Sequence, residues 1–127
     1  MERLSSERRL YNPRRAQAAR RAMFSEASHD LLESLQQILC DPTRAKIIRA
    51  LMVAELTVGD LAIVISRHRS STSDHLRILR ELGIVTSRRR GRVVYNALAE
   101  GTIADATRQV MATLADIAAE VPPTAPS

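Results

Sequence analysis

Residues 69–77 carry the side chains best suited to chemistry, because hydroxyls, a carboxylate and guanidiniums share one short segment. They are Arg69, Ser70, Ser71, Thr72, Ser73, Asp74 and Arg77. An α-helix fits the major groove of duplex DNA, where base edges offer distinct donor and acceptor patterns. Arginine forks onto guanine, a carboxylate accepts from the cytosine amine, and hydroxyls donate to bases or phosphates. The segment therefore predicts a helix that contacts double-stranded DNA through these residues.

An alternative interpretation assigns part of this polar set to the helix itself. If the helix begins near Ser70 or Ser71, one of these hydroxyls serves as its N-cap. Asp74 would then complete a capping box from Ser71 instead of contacting a base. His75, next to Leu76, is more typical of a partly buried packing residue than of a ligand.

A second basic feature surrounds an Arg-Gly turn. Two runs rich in β-branched residues, IVTSRR and RVVYNAL, alternate as β-strands do and are joined around Arg90 and Gly91. The predicted hairpin tip carries Arg88, Arg89, Arg90 and Arg92. We expect these guanidiniums to lie along the DNA backbone or in an adjacent minor groove, so that affinity falls with salt.

Two helices and a turn must position these side chains. Thr57 and Asp60 fit a capping box at the start of a first helix. Its buried residues are predicted to be Val58, Leu61, Ala62 and Ile65. A turn at residues 66–69 leads to the second helix, which ends at Gly83. Its inner face is predicted to be Leu76, Leu79 and Leu82. With the hairpin, the pattern predicts a winged helix-turn-helix: a mainly α, dimeric fold with a small β-hairpin.

Further helices precede this motif. Residues 14–27 are rich in Ala and Arg and are predicted to be helical, with Ser28 as the N-cap of a helix at 29–39. That helix has one apolar stripe, predicted to be buried: Leu31, Leu32, Leu35, Ile38 and Leu39. Asp41 and Pro42 then begin another helix, since Asp is a favoured N-cap and Pro suits the first helical position. Its predicted inward residues are Ile47, Ile48, Leu51 and Met52.

The last helix is predicted at residues 102–121 and is amphipathic. Its stripe consists of Ile103, Val110, Leu114, Ile117 and Val121. This spacing suits a partner helix from a second copy, and the alternative is packing on its own domain. A second copy would also add burial to a chain with one Phe, two Tyr and no Trp.

The positive charge is concentrated in two places. The formal net charge is +5, and residues 67–92 hold eight Arg against Asp74 and Glu81. Residues 1–21 hold seven Arg against Glu2 and Glu7. Clustered charge of this kind is typical of phosphate binding, and a solvated Arg-rich surface is the alternative. We predict a basic, partly helical N-terminal extension (1–28), a winged helix-turn-helix domain (29–121) and a disordered tail (122–127).

Several classes of protein do not fit the sequence. No apolar run reaches the length of a transmembrane helix and the N-terminus lacks a signal-peptide pattern, so we expect a cytoplasmic protein. No constellation of nucleophile and base and no phosphate-binding Gly loop indicates an enzyme. The single Cys40 excludes a disulfide or multi-thiolate metal site within one chain, although two copies could pair their cysteines.

The order DPTR, ELTVGDLA, SDHLRILRELGIV and RRRGRVVYNAL resembles the ArsR/SmtB family of small bacterial winged-helix repressors, over about residues 30–120. The resemblance implies a homodimer built through its first and last helices. Such a dimer binds an inverted-repeat operator and releases it when a metal ion or another signal binds.

The family's sensing residues do not carry over. Where one family metal site has a motif resembling ELCVCD, this chain has Thr57 and Gly59 in place of the thiolates. A second family site matches Glu100, Thr102, Thr113 and Asp116, so its carboxylates remain but its histidines are Thr. Two carboxylates make a poor zinc site. Persulfide-sensing relatives use two cysteines, and Cys40 is predicted to be a small buried hydrophobe.

The sequence therefore predicts a sequence-specific transcriptional repressor with no cofactor and no metal of the known types, responding to an unidentified small effector. A non-specific architectural DNA-binding protein is the alternative. The operator, the regulated genes and the inducing signal are left open.

Overall fold

A computed structural model describes residues 11–123 of the chain. Within this range the chain forms helices and one two-stranded antiparallel hairpin, which confirms the predicted fold class. The elements are α1 (Pro13–Arg21), α2 (Glu26–Leu39), α3 (Pro42–Val53), α4 (Val58–Val64), α5 (Arg69–Glu81), β1 (Val85–Arg90), β2 (Val93–Leu98) and α6 (Thr102–Glu120). Predictions for residues 1–10 and 124–127, in the basic extension and the tail, lie outside the described residues.

Contacts divide the chain into two units, residues 1–30 and 31–127. The first contains α1 and the beginning of α2, and none of the residues of α1 is buried. The second contains the rest of α2 and every later element. No helix among the described residues is both long and apolar enough to span a membrane.

The N-terminal helices differ from the predicted boundaries. The expected helix at 14–27 is wrong in extent, because α1 ends at Arg21 and α2 begins at Glu26. Ser28 is likewise not the N-cap of α2. The hydroxyl of Ser25 instead accepts a hydrogen bond from the Ser28 amide at 3.2 Å, and its carbonyl accepts one from the His29 amide. Ser25 thus satisfies amide donors that the first turn leaves unpaired.

The hydrophobic core of the second unit forms where α3, α4 and α5 meet the hairpin and α6. Its buried residues are Ile38, Ile47, Ile48, Leu51, Leu61, Ile65, Leu76, Leu79, Ile84, Val85 and Met111. The inward faces predicted for α3, α4 and α5 are confirmed, with Met52, Val58 and Leu82 only partly buried at the margin. This core packs against the inward face of α5.

Local signals at the helix ends are confirmed. The carboxylate of Asp41 accepts a hydrogen bond from the Thr43 amide at 2.7 Å, and Pro42 is the first residue of α3. The hydroxyl of Thr57 accepts from the Asp60 amide at 3.1 Å, which is one half of the predicted capping box; among the described residues the Asp60 carboxylate accepts no hydrogen bond in return. Gly83 follows α5 with φ +78°, a left-handed conformation that glycine adopts without strain.

The hairpin pairs β1 with β2 from Val85–Leu98 to Arg90–Val93, and Gly91 and Arg92 form its turn. A short bridge adds Leu56 to this sheet, with the Leu56 amide donating to Asn96 at 3.1 Å and the Asn96 amide donating back at 2.8 Å. The bridge was not predicted. It attaches the wing to the residues that precede α4.

Two apolar faces remain open in the protomer. On α6, Ala104, Thr107 and Met111 are buried, whereas Leu114 and Ile117 are 51% and 54% exposed. On α2, Ile38 is the buried residue of the predicted stripe. Leu32 is exposed, which corrects its expected burial, and Leu31, Leu35 and Leu39 are half-buried. An apolar groove of about 460 Å³ runs along α2 between Leu32, Leu35, Gln36, Leu39 and Cys40.

Candidate nucleic-acid interface

The helix α5 begins earlier than its hydroxyls indicate. Its first residue is Arg69, and His68 occupies the N-cap position without a side-chain cap hydrogen bond. Ser70 and Ser71 therefore lie inside the first turn, so the interpretation in which one of them caps the helix is wrong. Their hydroxyls are not used as N-caps.

Most of the predicted reading residues share the outer face of α5. Those exposed to solvent are Arg69, Ser70, Ser73, Asp74 and Arg77, and Ser71 is half-buried beside them. Positions 70, 73, 74 and 77 follow the three- and four-residue spacing of one helix face. They form a continuous polar surface of the size that enters a major groove.

Thr72 is the exception and corrects the prediction. Its side chain is 0% exposed, and its hydroxyl donates to the His68 carbonyl at 2.9 Å. Thr72 lies four and seven residues before Leu76 and Leu79, which places it on their inward face. This spacing is present in the sequence, but a hydroxyl does not by itself indicate exposure, because it can be buried when it donates to a backbone carbonyl. Thr72 supports α5 from within and contacts no partner outside.

Arg77 and Asp74 are available for new partners. A guanidinium nitrogen of Arg77 lies 3.5 Å from a carboxylate oxygen of Glu81, with the side chains 59% and 65% exposed. Exposed pairs four residues apart in a helix are worth only about 0.3–0.5 kcal/mol, so Arg77 changes partner at little cost. The Asp74 carboxylate makes no hydrogen bond or ion pair with any described residue.

The wing does not present four equivalent guanidiniums. Arg88 and Arg90 both form ion pairs with the carboxylate of Glu55, the latter at 3.5 Å. The Arg90 guanidinium also lies 5.5 Å from the ring centroid of Tyr95. Because side chains alternate along a strand, Arg89 points to the opposite face.

Arg89 and Arg92 have no ion-pair partner among residues 11–123 and are exposed. The prediction of four similar tip residues is therefore corrected to two unpaired and two paired arginines. Glu55 was missed because 33 residues separate it from Arg88. No local pattern links the two.

A cluster of polar side chains attaches α5 to the start of α3. The Nε atom of Arg44 donates to Nδ1 of His75 at 3.3 Å, and its Nη1 donates to the Gln37 carbonyl at 2.6 Å. The Nε2 atom of His75 lies 3.7 Å from the Asp41 carboxylate. His75 is partly buried, as predicted. The cluster connects the C-terminal end of α2 and the N-terminus of α3 to α5.

Asp41 is the charged member of this cluster whose titration is perturbed. The hydrogen bond from the Thr43 backbone amide lowers the pKa of the Asp41 carboxyl. Burial opposes this shift, and the Thr43 hydroxyl, His75 and Arg44 add to it. The ionised carboxylate is thus the form that the folded state favours. Sequence reasoning identified Asp41 as a helix cap but missed its proximity to α5, which only the fold creates.

The candidate sensing positions are dispersed. Among the described residues no three His, Cys, Asp or Glu side chains are grouped as a metal site. Glu100, Thr102, Thr113 and Asp116 are all exposed at or along α6. Cys40 is exposed, which corrects its predicted burial, and its thiol lies 3.3 Å from the Gln37 carbonyl.

Comparison with known proteins agrees with this geometry. Residues 41–87 match the model of the family described as "Bacterial regulatory protein, arsR family". The chain is 36% identical over 86 residues to the HTH-type transcriptional regulator CmtR of Mycobacterium tuberculosis, covering 68% of this chain and 73% of that one. It is 42% identical over 72 residues to a transcriptional repressor SmtB homolog of Synechocystis, covering 57% of this chain and 54% of the relative's length.

A solved structure supports the fold. The homodimeric winged helix-turn-helix DNA-binding domain of a possible ArsR-family transcriptional regulator from Mycobacterium bovis aligns with a TM-score of 0.63. The alignment covers 82% of this chain and 99% of that one at 21% sequence identity. Identity at this level supports the winged helix-turn-helix architecture and not the details of a site.

Proposed function

Because this chain belongs to the arsR family of bacterial regulatory proteins, we propose that it is a dimeric, sequence-specific transcriptional repressor that binds an inverted-repeat operator. It acts in the cytoplasm by occupying DNA and carries out no catalysis. The exposed polar face of α5, backed by a rigid core, is the observation that carries this proposal.

The outer face of α5 supports base reading. Arg77 donates in the fork geometry that guanine accepts, and Asp74 accepts from cytosine. Ser70 and Ser73, one turn apart, reach either bases or phosphates. The buried residues Thr72, Leu76 and Leu79 fix the rotation of α5 about its own axis, since any rotation would expose buried apolar surface.

The wing supports affinity. Arg89 and Arg92 are free to contact phosphates on the flank of the site, where contacts position the protein without reading sequence. Arg88 and Arg90 are oriented by Glu55 and can join them only by leaving that carboxylate. The wing contribution is therefore smaller than four free arginines would give.

The open apolar faces support the dimer. Leu114 and Ile117 on α6 keep about half of their surface in water, and the α2 groove is lined by leucines. A two-fold axis lets the same faces of two copies cover one another. Two α5 helices related by this axis match two half-sites of an inverted repeat.

The test compares Arg77→Ala with Arg89→Ala, which removes the same side chain from the wing. On an operator fragment selected from genomic DNA, loss of a bidentate contact to guanine costs about 1–3 kcal/mol, or about 5- to 150-fold per half-site. Random-sequence duplex should lose much less for Arg77→Ala. Arg89→Ala should weaken both DNAs alike, because it contacts only phosphate.

Equal losses on both DNAs for Arg77→Ala would contradict base reading by this residue. If the wild-type protein binds all fragments with equal affinity, it is an architectural DNA-binding protein, since specific binding exceeds non-specific binding by about a thousandfold or more. We also propose that the inducer is a small effector other than a thiolate- or histidine-bound metal. Added Zn²⁺ should then leave operator binding unchanged.

A further inference from the structure

The helix α1 carries a concentration of charge that the winged helix does not use. Residues 11–24 contain four arginines and no acidic residue, a charge of +4. They are Arg14, Arg15, Arg20 and Arg21. Every residue of this segment except Ala16 is exposed, and none of the four guanidiniums has an ion-pair partner among residues 11–123. Packing therefore does not account for these side chains.

The placement of the charges opposes the stability of α1. The partial positive charge at a helix N-terminus favours anions there and disfavours cations. The first turn of α1 nevertheless holds Arg14 and Arg15 and no acidic residue. Arg20 and Arg21, in the last turn, complement the helix dipole and have a structural reason to be basic. The first pair has no such reason among residues 11–123, which favours an anionic binding partner for it.

The spacing suits a polyanion and not a single anion. Arg14 and Arg21 are seven residues apart and share one face over a rise of about 10 Å, and Arg15 flanks this face. A DNA duplex carries about one phosphate charge per 1.7 Å of its axis. A length of 10 Å thus presents about six phosphates, enough to neutralise the whole helix.

We propose that α1 is a second DNA-binding surface, which contacts the phosphate backbone of the DNA to which the winged helix binds. This inference rests on the proposed function, since it assumes that the winged helix brings the chain to DNA. The surface adds affinity without sequence specificity.

The test measures how DNA affinity depends on salt. The variant Arg14→Gln/Arg15→Gln removes two charges and keeps the helix, because Gln and Arg have similar helix propensities. The matched control is Lys46→Gln/Arg49→Gln, which removes two exposed charges from α3. Each lost phosphate contact lowers the slope of log affinity against log salt by about 0.9. On a random-sequence duplex the slope for the α1 variant should therefore be shallower than the wild-type slope by about 1.8 per bound protomer.

The control separates a contact from a general loss of charge. If both double variants lower the slope equally, net charge explains the effect and the proposal is overturned. An unchanged slope for the α1 variant, with its circular dichroism helix signal intact, also overturns it. The same holds if α1 is needed only for binding to anionic phosphatidylserine vesicles, because its partner would then be a membrane surface.

Two further readouts distinguish this inference from the proposed function. Hydroxyl-radical footprinting on the selected fragment should show a set of sugars that the wild-type protein protects and the α1 variant does not, with the remaining protection unchanged. A wild-type protein that does not discriminate between fragments, but shows the slope change, would refute sequence-specific repression and retain the α1 surface. A wild-type protein that discriminates between fragments, together with an α1 variant whose slope is unchanged, would retain sequence-specific repression and refute the α1 surface.

Discussion

Replacing Leu114 with Ala tests whether the exposed stripe of α6 forms the dimer. Leu114 is 51% exposed in the protomer, so about half of its surface remains to be buried. Full burial of a Leu side chain is worth about 1.5–3 kcal/mol, which leaves about 0.8–1.5 kcal/mol for this half. A two-fold interface counts each residue twice. The variant should therefore lose about 1.5–3 kcal/mol, raising the dimer dissociation constant about 10- to 150-fold.

Sedimentation equilibrium over a range of protein concentrations measures that constant directly. The matched control is Ile63→Ala on α4, since Ile63 is 78% exposed but lies off the predicted stripe. Thermal unfolding of both variants at one concentration checks that the protomer fold is intact. A wild-type constant for Leu114→Ala, or an equal loss for Ile63→Ala, would refute the assignment of this face as the interface.

Two further predictions concern single carboxylates. Glu55→Gln should release Arg88 and Arg90 for phosphate, steepening the salt dependence on random DNA by up to about 1.8 per protomer; a shallower slope would show that Glu55 holds the wing in its binding form. Asp41→Asn keeps a side chain that can act as the N-cap of α3 but removes the carboxylate. In the wild type the hydrogen bond from the Thr43 amide lowers the pKa of this carboxyl from its ordinary value of 3.8. Because the folded pKa lies below the unfolded one, the stability from ionisation is present above about pH 4 and is lost as the pH falls through the folded pKa. Urea unfolding from pH 3 to 7 should show wild type and variant converging in acid, and a constant gap would contradict this account.

The features that the sequence predicted well depend on neighbouring residues. A cap such as Asp41 or Thr57 bonds to an amide two or three residues away, so residue type and spacing determine it. Gly83 ends α5 because its own backbone adopts a positive φ. The apolar periodicity of α3, α4 and α5 likewise depends on helix geometry alone. Thr72 departs from its predicted exposure although it has the spacing of the inward face, because its hydroxyl is satisfied by the His68 carbonyl and can therefore be buried.

The sequence by itself determined the helix-turn-helix, the hairpin and the outward position of most polar residues of α5, since each follows from short-range spacing. Only the tertiary structure decided which charges are free. Glu55 meets Arg88 and Arg90 because the Leu56 bridge brings the start of α4 beside the wing. The tertiary structure also determines which apolar residues of α2 and α6 stay exposed. An apolar stripe indicates which residues gain free energy from burial. Whether the core of the same protomer buries them depends on how the whole protomer packs.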